Sequence, residues 1–197
     1  MLSVTHSATL QGVIAVPVTV EANGGEKGEP RCVLVGLPDA AVKESLDRIL
    51  SSLANSGFSR PRTRVTINLA PGDLRKEGAA FDLPIALCLI AVMGHLPEDS
   101  LKDFLIAGEL ALSGETRSIK GGLSMAMLAK KNGKTGILLP HTSAEEASLL
   151  SGIDVFSIGS LAEAVSFLNN PQSKKPLEAK GIHFAYKLKE SSDIDFS

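Results

Sequence analysis

Cysteine, histidine and net charge are all in short supply in this chain. Its 197 residues hold two cysteines and four histidines, and 20 basic against 22 acidic side chains leave a formal charge of −2. Cys32 and Cys88 each sit inside an apolar run, RCVLVGL and IALCLIAV. They read as buried free thiols in a reducing compartment, which excludes a disulfide framework. His6, His95, His141 and His183 are scattered, with no second ligand at metal spacing, so no metal centre is expected. The near-neutral balance excludes a protein that simply coats nucleic acid, which needs clustered Lys and Arg, but leaves a local basic face open. No hydrophobic run is long enough to cross a bilayer: the longest, Leu83 to Gly94, falls short of the ~20 residues a spanning helix needs. The N-terminus shows no basic stretch followed by an apolar one, the mark of a secretion signal. The expectation is a soluble cytoplasmic protein with no membrane partner.

What is present can build a core. At 44% hydrophobic and 21% charged, the composition is that of a folded domain, and the length fits one domain or one domain with a tail. VIAVPVTVEA (13–22), RCVLVG and RVTINLA (64–70) read as strands, and NGGEKGEP (23–30) as a turn or flexible loop. Pro38 and Asp39 open a helix with Val42, Leu46, Ile49, Leu50 and Leu53 on one stripe, closed by Gly57. FLIAGELAL (104–112) reads as one strand leading into an SGE hairpin turn. Helix and strand then alternate, with capping boxes at Ser143/Glu146 and Ser160/Glu163. The order β-β-β-α-β-α-β-β-α-β-α-β-α indicates an α/β domain with a mixed sheet. After Asn169-Asn170-Pro171 the chain turns polar and aperiodic, as in a linker, although IHFAYKL could pair as an edge strand.

Three stretches invite a functional reading. NGKTG (132–136) contains the Gly-Lys-Thr of a phosphate loop, but Leu128 stands where the first glycine is needed and a helix precedes it. It reads better as a helix end, with Lys130 and Lys131 in the last turn and Gly133 beyond. In KESLDR (43–48), Lys43 with Asp47 and Glu44 with Arg48 are i,i+4 pairs on a solvent face, or else a docking surface. In DLRKEGAAFDLPIALCLIAV (73–92), Gly72 and Gly78 make turns, Asp82 caps a helix and Pro84 falls in its first turn. Such a loop can present a serine to a lysine base. Here Ala79 and Ala80 stand at the bend, and neither can attack anything.

VGLPDAAVKES, NSGF, TINLAPGDLRKEGAAFDLPIAL and GELALSGETRSIKGGL, in that order, closely resemble the N-terminal domain of the Mg-chelatase-like AAA+ ATPases of the competence protein ComM (YifB) group. The resemblance runs from about Ser7 to Asn169. Leu46 stands where the family usually has Arg, and Ala79 where it usually has Ser. The domain is more distantly similar to the Lon proteolytic domain and the C-terminal domain of RadA. Lon's Lys-Asp-Gly-Pro-Ser-Ala-Gly, laid on Lys76, Glu77, Gly78, Ala79, Ala80, Phe81 and Asp82, puts the nucleophile on Ala80. An ungapped count from Gly108-Glu109-Leu110 puts the base lysine on Leu123, and a one-residue shift puts it on Ser124. Lys120 lies three residues away.

The resemblance therefore implies a mixed-sheet α/β fold with a vestigial active-site loop (Lys76, Glu77, Gly78, Ala80, Leu123) and no catalytic residues. It implies a Lon-protease-like unit over 1–170 and a linker over 171–197 toward an AAA+ module, which this chain stops short of. The family's whole protein forms hexamers that use ATP and Mg to drive DNA branch migration in natural transformation. No cofactor is implied for this fragment. Its expected partners are its own AAA+ module and neighbouring subunits, with DNA a further candidate. The candidate interaction surface comprises Lys43, Glu44, Arg48, Arg75 and Lys76. The alternatives are a residual Ser/Lys peptidase and a nucleic-acid-binding module acting alone.

Overall fold

The structure, a computed structural model, describes residues 1–36, 39–74, 76, 78–97 and 99–181, with only the backbone of Glu26, Ala41 and Lys43. Strand β1 (Leu2–Gln11) turns at Gly12 into the long β2 (Ile14–Glu26), and the two pair antiparallel from Leu2/Asn23 to Gln11/Ile14. β2 carries on through the stretch expected to be a loop, with a bulge between Gly24 and Glu26. Gly24 explains how: a Cβ there would come within 2.1 Å of Val92 Cγ1, so only glycine lets the strand pass this close to the neighbouring helix.

β3 (Cys32–Val35) and β4 (Arg64–Ala70) follow, separated by α1 (Ala40–Asn55). In β4 the buried Val65, Ile67 and Leu69 alternate with half-buried residues, the two-residue period of a strand covered mainly on one face. Asp39 caps α1 by accepting the Val42 amide at 2.8 Å. Pro38 lies outside the described residues. Val42, Ile49 and Leu53 of α1 are fully buried, and Leu46 and Leu50 pack beside them.

The next helix, α2 (Asp82–Val92), has ten of its eleven residues buried and follows directly on a one-turn 3-10 helix at Ala79–Phe81. Pro84 sits in the first turn, where its missing amide costs nothing. β5 (Phe104–Ile106), β8 (Gly136–Leu139) and β9 (Asp154–Ser157) complete a seven-stranded sheet of order β3-β4-β2-β1-β5-β8-β9. β1 to β9 through β5 and β8 run parallel and β1, β2 and β4 antiparallel, so the sheet is mixed. The expected strand 104–112 is in fact two strands. The Gly108 amide donates to Ala80 and its carbonyl accepts from Leu83, which pulls the chain out of the sheet. β6 (Glu109–Leu110) then pairs with β7 (Thr116–Arg117) as a separate small hairpin.

α3 (Gly122–Lys131), α4 (His141–Ala147) and α5 (Leu161–Asn169) finish the fold. α1, α2 and α5 contribute to one apolar cluster, and α3 and α4 to another across the sheet. Neighbouring β5 residues divide between them: Phe104 and Ile106 join the first and Leu105 the second. The Ser160/Glu163 cap forms, with the Ser160 hydroxyl accepting the Glu163 amide at 3.1 Å. The Ser143 cap does not. α4 starts at His141 after Pro140, and the buried Ser143 hydroxyl instead donates to Ile119 O at 2.8 Å and accepts from Ile119 N at 2.9 Å. Cys88 is fully buried, and burial pushes its thiol up to about 12. Cys32, expected to be buried, is half-exposed on the edge strand. Of the segment read as a linker, the Leu177 amide donates to Val155 O of β9 at 2.8 Å, and Lys174 pairs with Glu163. IHFAYKL lies beyond the described residues except for Gly181 before it.

Candidate functional site

The bend before α2 opens onto a cleft of about 630 Å³. Ala79 and Ala80 line it beside Gly78, whose φ of 81° sets the turn. The bonds from Gly108 N to Ala80 O (2.9 Å) and from Leu83 N to Gly108 O (3.0 Å) lock the bend against the crossing chain. Other walls come from distant parts of the sequence: Thr9 at the end of β1, Asp39 before α1, Glu109 in β6, and Ser118 and Lys120 after β7. Asp39 is occupied in capping α1, and Glu109 stands 3.9 Å from Arg117. Among the described residues no hydrogen bond joins Lys120 to a hydroxyl. The cleft is thus lined by one lysine and two hydroxyl-bearing residues, but at the bend itself only by glycine and alanine.

Behind this wall lies a second polar centre. The Asp82 carboxylate, expected to cap a helix, is fully buried and takes a two-pronged contact from Arg48 instead (Nε–Oδ2 2.7 Å, Nη2–Oδ1 3.1 Å). The Leu110 amide donates to the same carboxylate at 3.1 Å. Burial pushes the Asp82 carboxyl above the usual carboxylate range, while Arg48 and the Leu110 amide pull it part of the way back. The Arg48 guanidinium is held above its ordinary value, chiefly by its hydrogen bond to Asp82. α1, α2 and β6 are pinned together at this point.

The residues picked out from sequence are therefore divided. Gly78 and Ala80 line the cleft. Lys76 does not: it is fully buried, and its amine donates to Gly36 O at 2.9 Å and to the Pro71 carbonyl. Burial holds that amine below its ordinary value, with Asp73 acting in the opposite direction. Leu123 also lies away from the cleft, at the start of α3, where its amide and that of Gly122 donate to Glu146. Ser124 donates to Val13 O at 2.8 Å. Arg48 makes its close pair with Asp82, and the exposed Glu44 acts on the guanidinium only at longer range. Arg75, Glu77 and the Lys43 side chain lie outside the described residues. Thr9 and Ser118 escaped the sequence reading. A signal for Thr9 exists in the alternating hydroxyls Ser3, Thr5, Ser7 and Thr9 of β1, all buried.

Among the described residues no group of three or more His, Cys, Asp or Glu could hold a metal ion, and no helix is long and apolar enough to cross a membrane.

The family profile described as subunit ChlI of Mg-chelatase matches residues 20–143. Over 196 residues, all of this chain, the sequence is 39% identical to competence protein ComM of Haemophilus influenzae and covers 36% of it. It is 39% identical over 181 residues, 90% of the chain, to the uncharacterized protein YifB of Escherichia coli, covering 35% of it. More distant are the Lon protease of Elusimicrobium minutum (25% over 135 residues; 66% of this chain, 16% of that protein) and the DNA repair protein RadA of Aquifex aeolicus (32% over 104 residues; 53% and 22%). The chain spans about a third of the length of the ComM and YifB relatives it matches.

Proposed function

Because this chain belongs to the family of the Mg-chelatase subunit ChlI, together with ComM and YifB, we propose that it is a non-catalytic N-terminal domain of an AAA+ ATPase of the ComM type. In this reading 1–170 forms the globular unit, and 171–197 leads toward an ATPase module that binds ATP and Mg. The whole protein is a cytoplasmic hexamer that moves DNA branches in recombination and natural transformation. This domain supplies assembly contacts, partner recognition or guidance of DNA to the motor.

The observation that carries the reading is Ala80. The resemblance to Lon-type enzymes lays their serine on Ala80, in a loop clamped by the bonds of Gly108 to Ala80 and Leu83. A methyl group has no proton to give up and no lone pair to attack with. Function rests on the site and not on the fold, so likeness to a protease carries no protease activity with it.

The second reading, a residual peptidase, has one observation in its favour: Lys120 shares the cleft with Thr9 and Ser118. Incubating the purified chain with unfolded casein and fluorogenic peptides separates the two. The expected result is no cleavage above buffer, unchanged in Lys120→Ala. Cleavage that disappears in Lys120→Ala or Thr9→Ala would establish the peptidase.

A further inference from the structure

A second concavity, of about 470 Å³, opens at the other end of α2, between that helix end and the loop joining α1 to β4. Its rim is the stretch SRPRT (59–63), which has two arginines and no carboxylate in a chain whose formal charge is −2. Arg60 and Arg62 are exposed, and among the described residues neither has an ion-pair partner. Thr63 accepts the Gly25 amide at 3.2 Å, fastening this rim to β2. The floor is apolar, formed by Val65, Val92 and Met93. His95 completes the lining as an exposed flat ring. Phe58 packs against it in an edge arrangement (centroids 5.7 Å apart, 61° between planes), and the His95 carbonyl accepts from the Asn169 side-chain amide at 3.3 Å.

We propose that this groove binds single-stranded nucleic acid. Guanidinium forks match phosphate oxygens, and a positively charged groove combined with a ring for bases to stack on is what single-strand binding requires. The arginines are not needed to offset the negative end of α1. That helix ends at Asn55 with no basic residue in its last turn, and its field falls off within that turn. A duplex hides its base faces, so single strands bind more tightly here than duplex of equal charge. The inference gives the DNA role proposed above a surface, yet the two fail separately. Peptide cleavage would defeat the non-catalytic reading and leave the groove intact, while loss of DNA binding would do the reverse.

The test is fluorescence anisotropy of the full chain with a labelled oligothymidylate of about 16 nucleotides, long enough to fill the site of a single-strand-binding domain, titrated at several salt concentrations. The expected result is saturable binding that weakens with salt. Arg60→Ala with Arg62→Ala should weaken it at least about tenfold and flatten the log–log salt slope by about 1.4, two contacts at about 0.7 each. His95→Ala should weaken binding and leave the slope unchanged. All three residues are exposed, so unaltered thermal melts serve as the folding control. The proposal is overturned if the chain does not bind, if the double variant keeps its affinity and slope, if duplex binds as well, or if inorganic polyphosphate at equal phosphate concentration displaces the strand completely.

Discussion

Arg48 and Asp82 show what a single pair decides here. Asp82 is fully buried, whereas the Arg48 side chain keeps 27% of its surface exposed, so the two deletions are unequal. Removing Arg48 strands a carboxylate with no water to turn to. Removing Asp82 leaves a cation that still reaches solvent. Arg48→Ala is expected to cost about 3–5 kcal/mol at neutral pH, and Asp82→Ala less than that, in urea melts. The pH dependence has a definite sign. Burial raises the folded carboxyl above its unfolded value, so the native state binds the extra proton between the two. Stability from this group therefore falls as pH rises through that window. Without Arg48 the defect should shrink as the medium is acidified; a defect independent of pH would refute the assignment. None of this could be read from KESLDR, because i,i+4 spacing offers Arg48 a partner on its own helix. The competing partner lies 34 residues away and appears only once α1 and α2 pack together. Lys76 misled in the same way. A charged run reads as a solvated loop, and nothing local announces that two carbonyls will enclose the amine.

At the scale of elements, the long periodic segments were the legible ones. α1, α2, β4 and the Ser160 cap all follow from spacing and end signals. What stayed hidden were places where a tertiary hydrogen bond outcompetes a local rule. Ser143 and Glu146 satisfy a capping motif on paper, yet both side chains reach away from α4. Ser143 holds the chain before α3, and Glu146 receives the first amides of that helix. Gly122 is fitted to this contact, since a Cβ there would come within 2.3 Å of Ser143 O. Ser143→Ala should cost about 1–3 kcal/mol by leaving Ile119 unpaired, read as a lower denaturation midpoint with an unchanged slope. A loss below about 0.5 kcal/mol, the range of an ordinary surface change, would count against this linkage. The break at Gly108 is of the same kind. GELAL looks like continuous strand, but its backbone is taken by Ala80 and Leu83, and that detour builds one wall of the cleft.

For the molecule as a whole, the mixed α/β sheet was legible from the alternation of patterns, while the cleft, drawn from six separate stretches, was not. The far end of the described chain also contributes. Lys174 reaches back to Glu163 at the start of α5, and the Leu177 amide occupies the edge of β9. Burial pushes the Glu163 carboxyl up, but the Lys174 ammonium and the Gly159 and Ser160 amides outweigh it and hold the group below its ordinary value. The stability so gained is present above the usual glutamate range and is lost as pH falls through the folded value. Glu163→Gln should therefore flatten the acid limb of a plot of urea midpoint against pH and leave its shape at neutral pH unchanged. An acid limb identical to that of the parent would exclude this linkage. The burial of α2 has a consequence for how the chain is made. The rod is apolar on every side, and the helix that helps to cover it, α5, is synthesised some seventy residues later. Until α5 emerges from the ribosome, the nascent chain carries a greasy cylinder that α1 and the earlier strands leave bare on the flank α5 later covers. A polypeptide stalled in that interval is a natural client for a holdase chaperone.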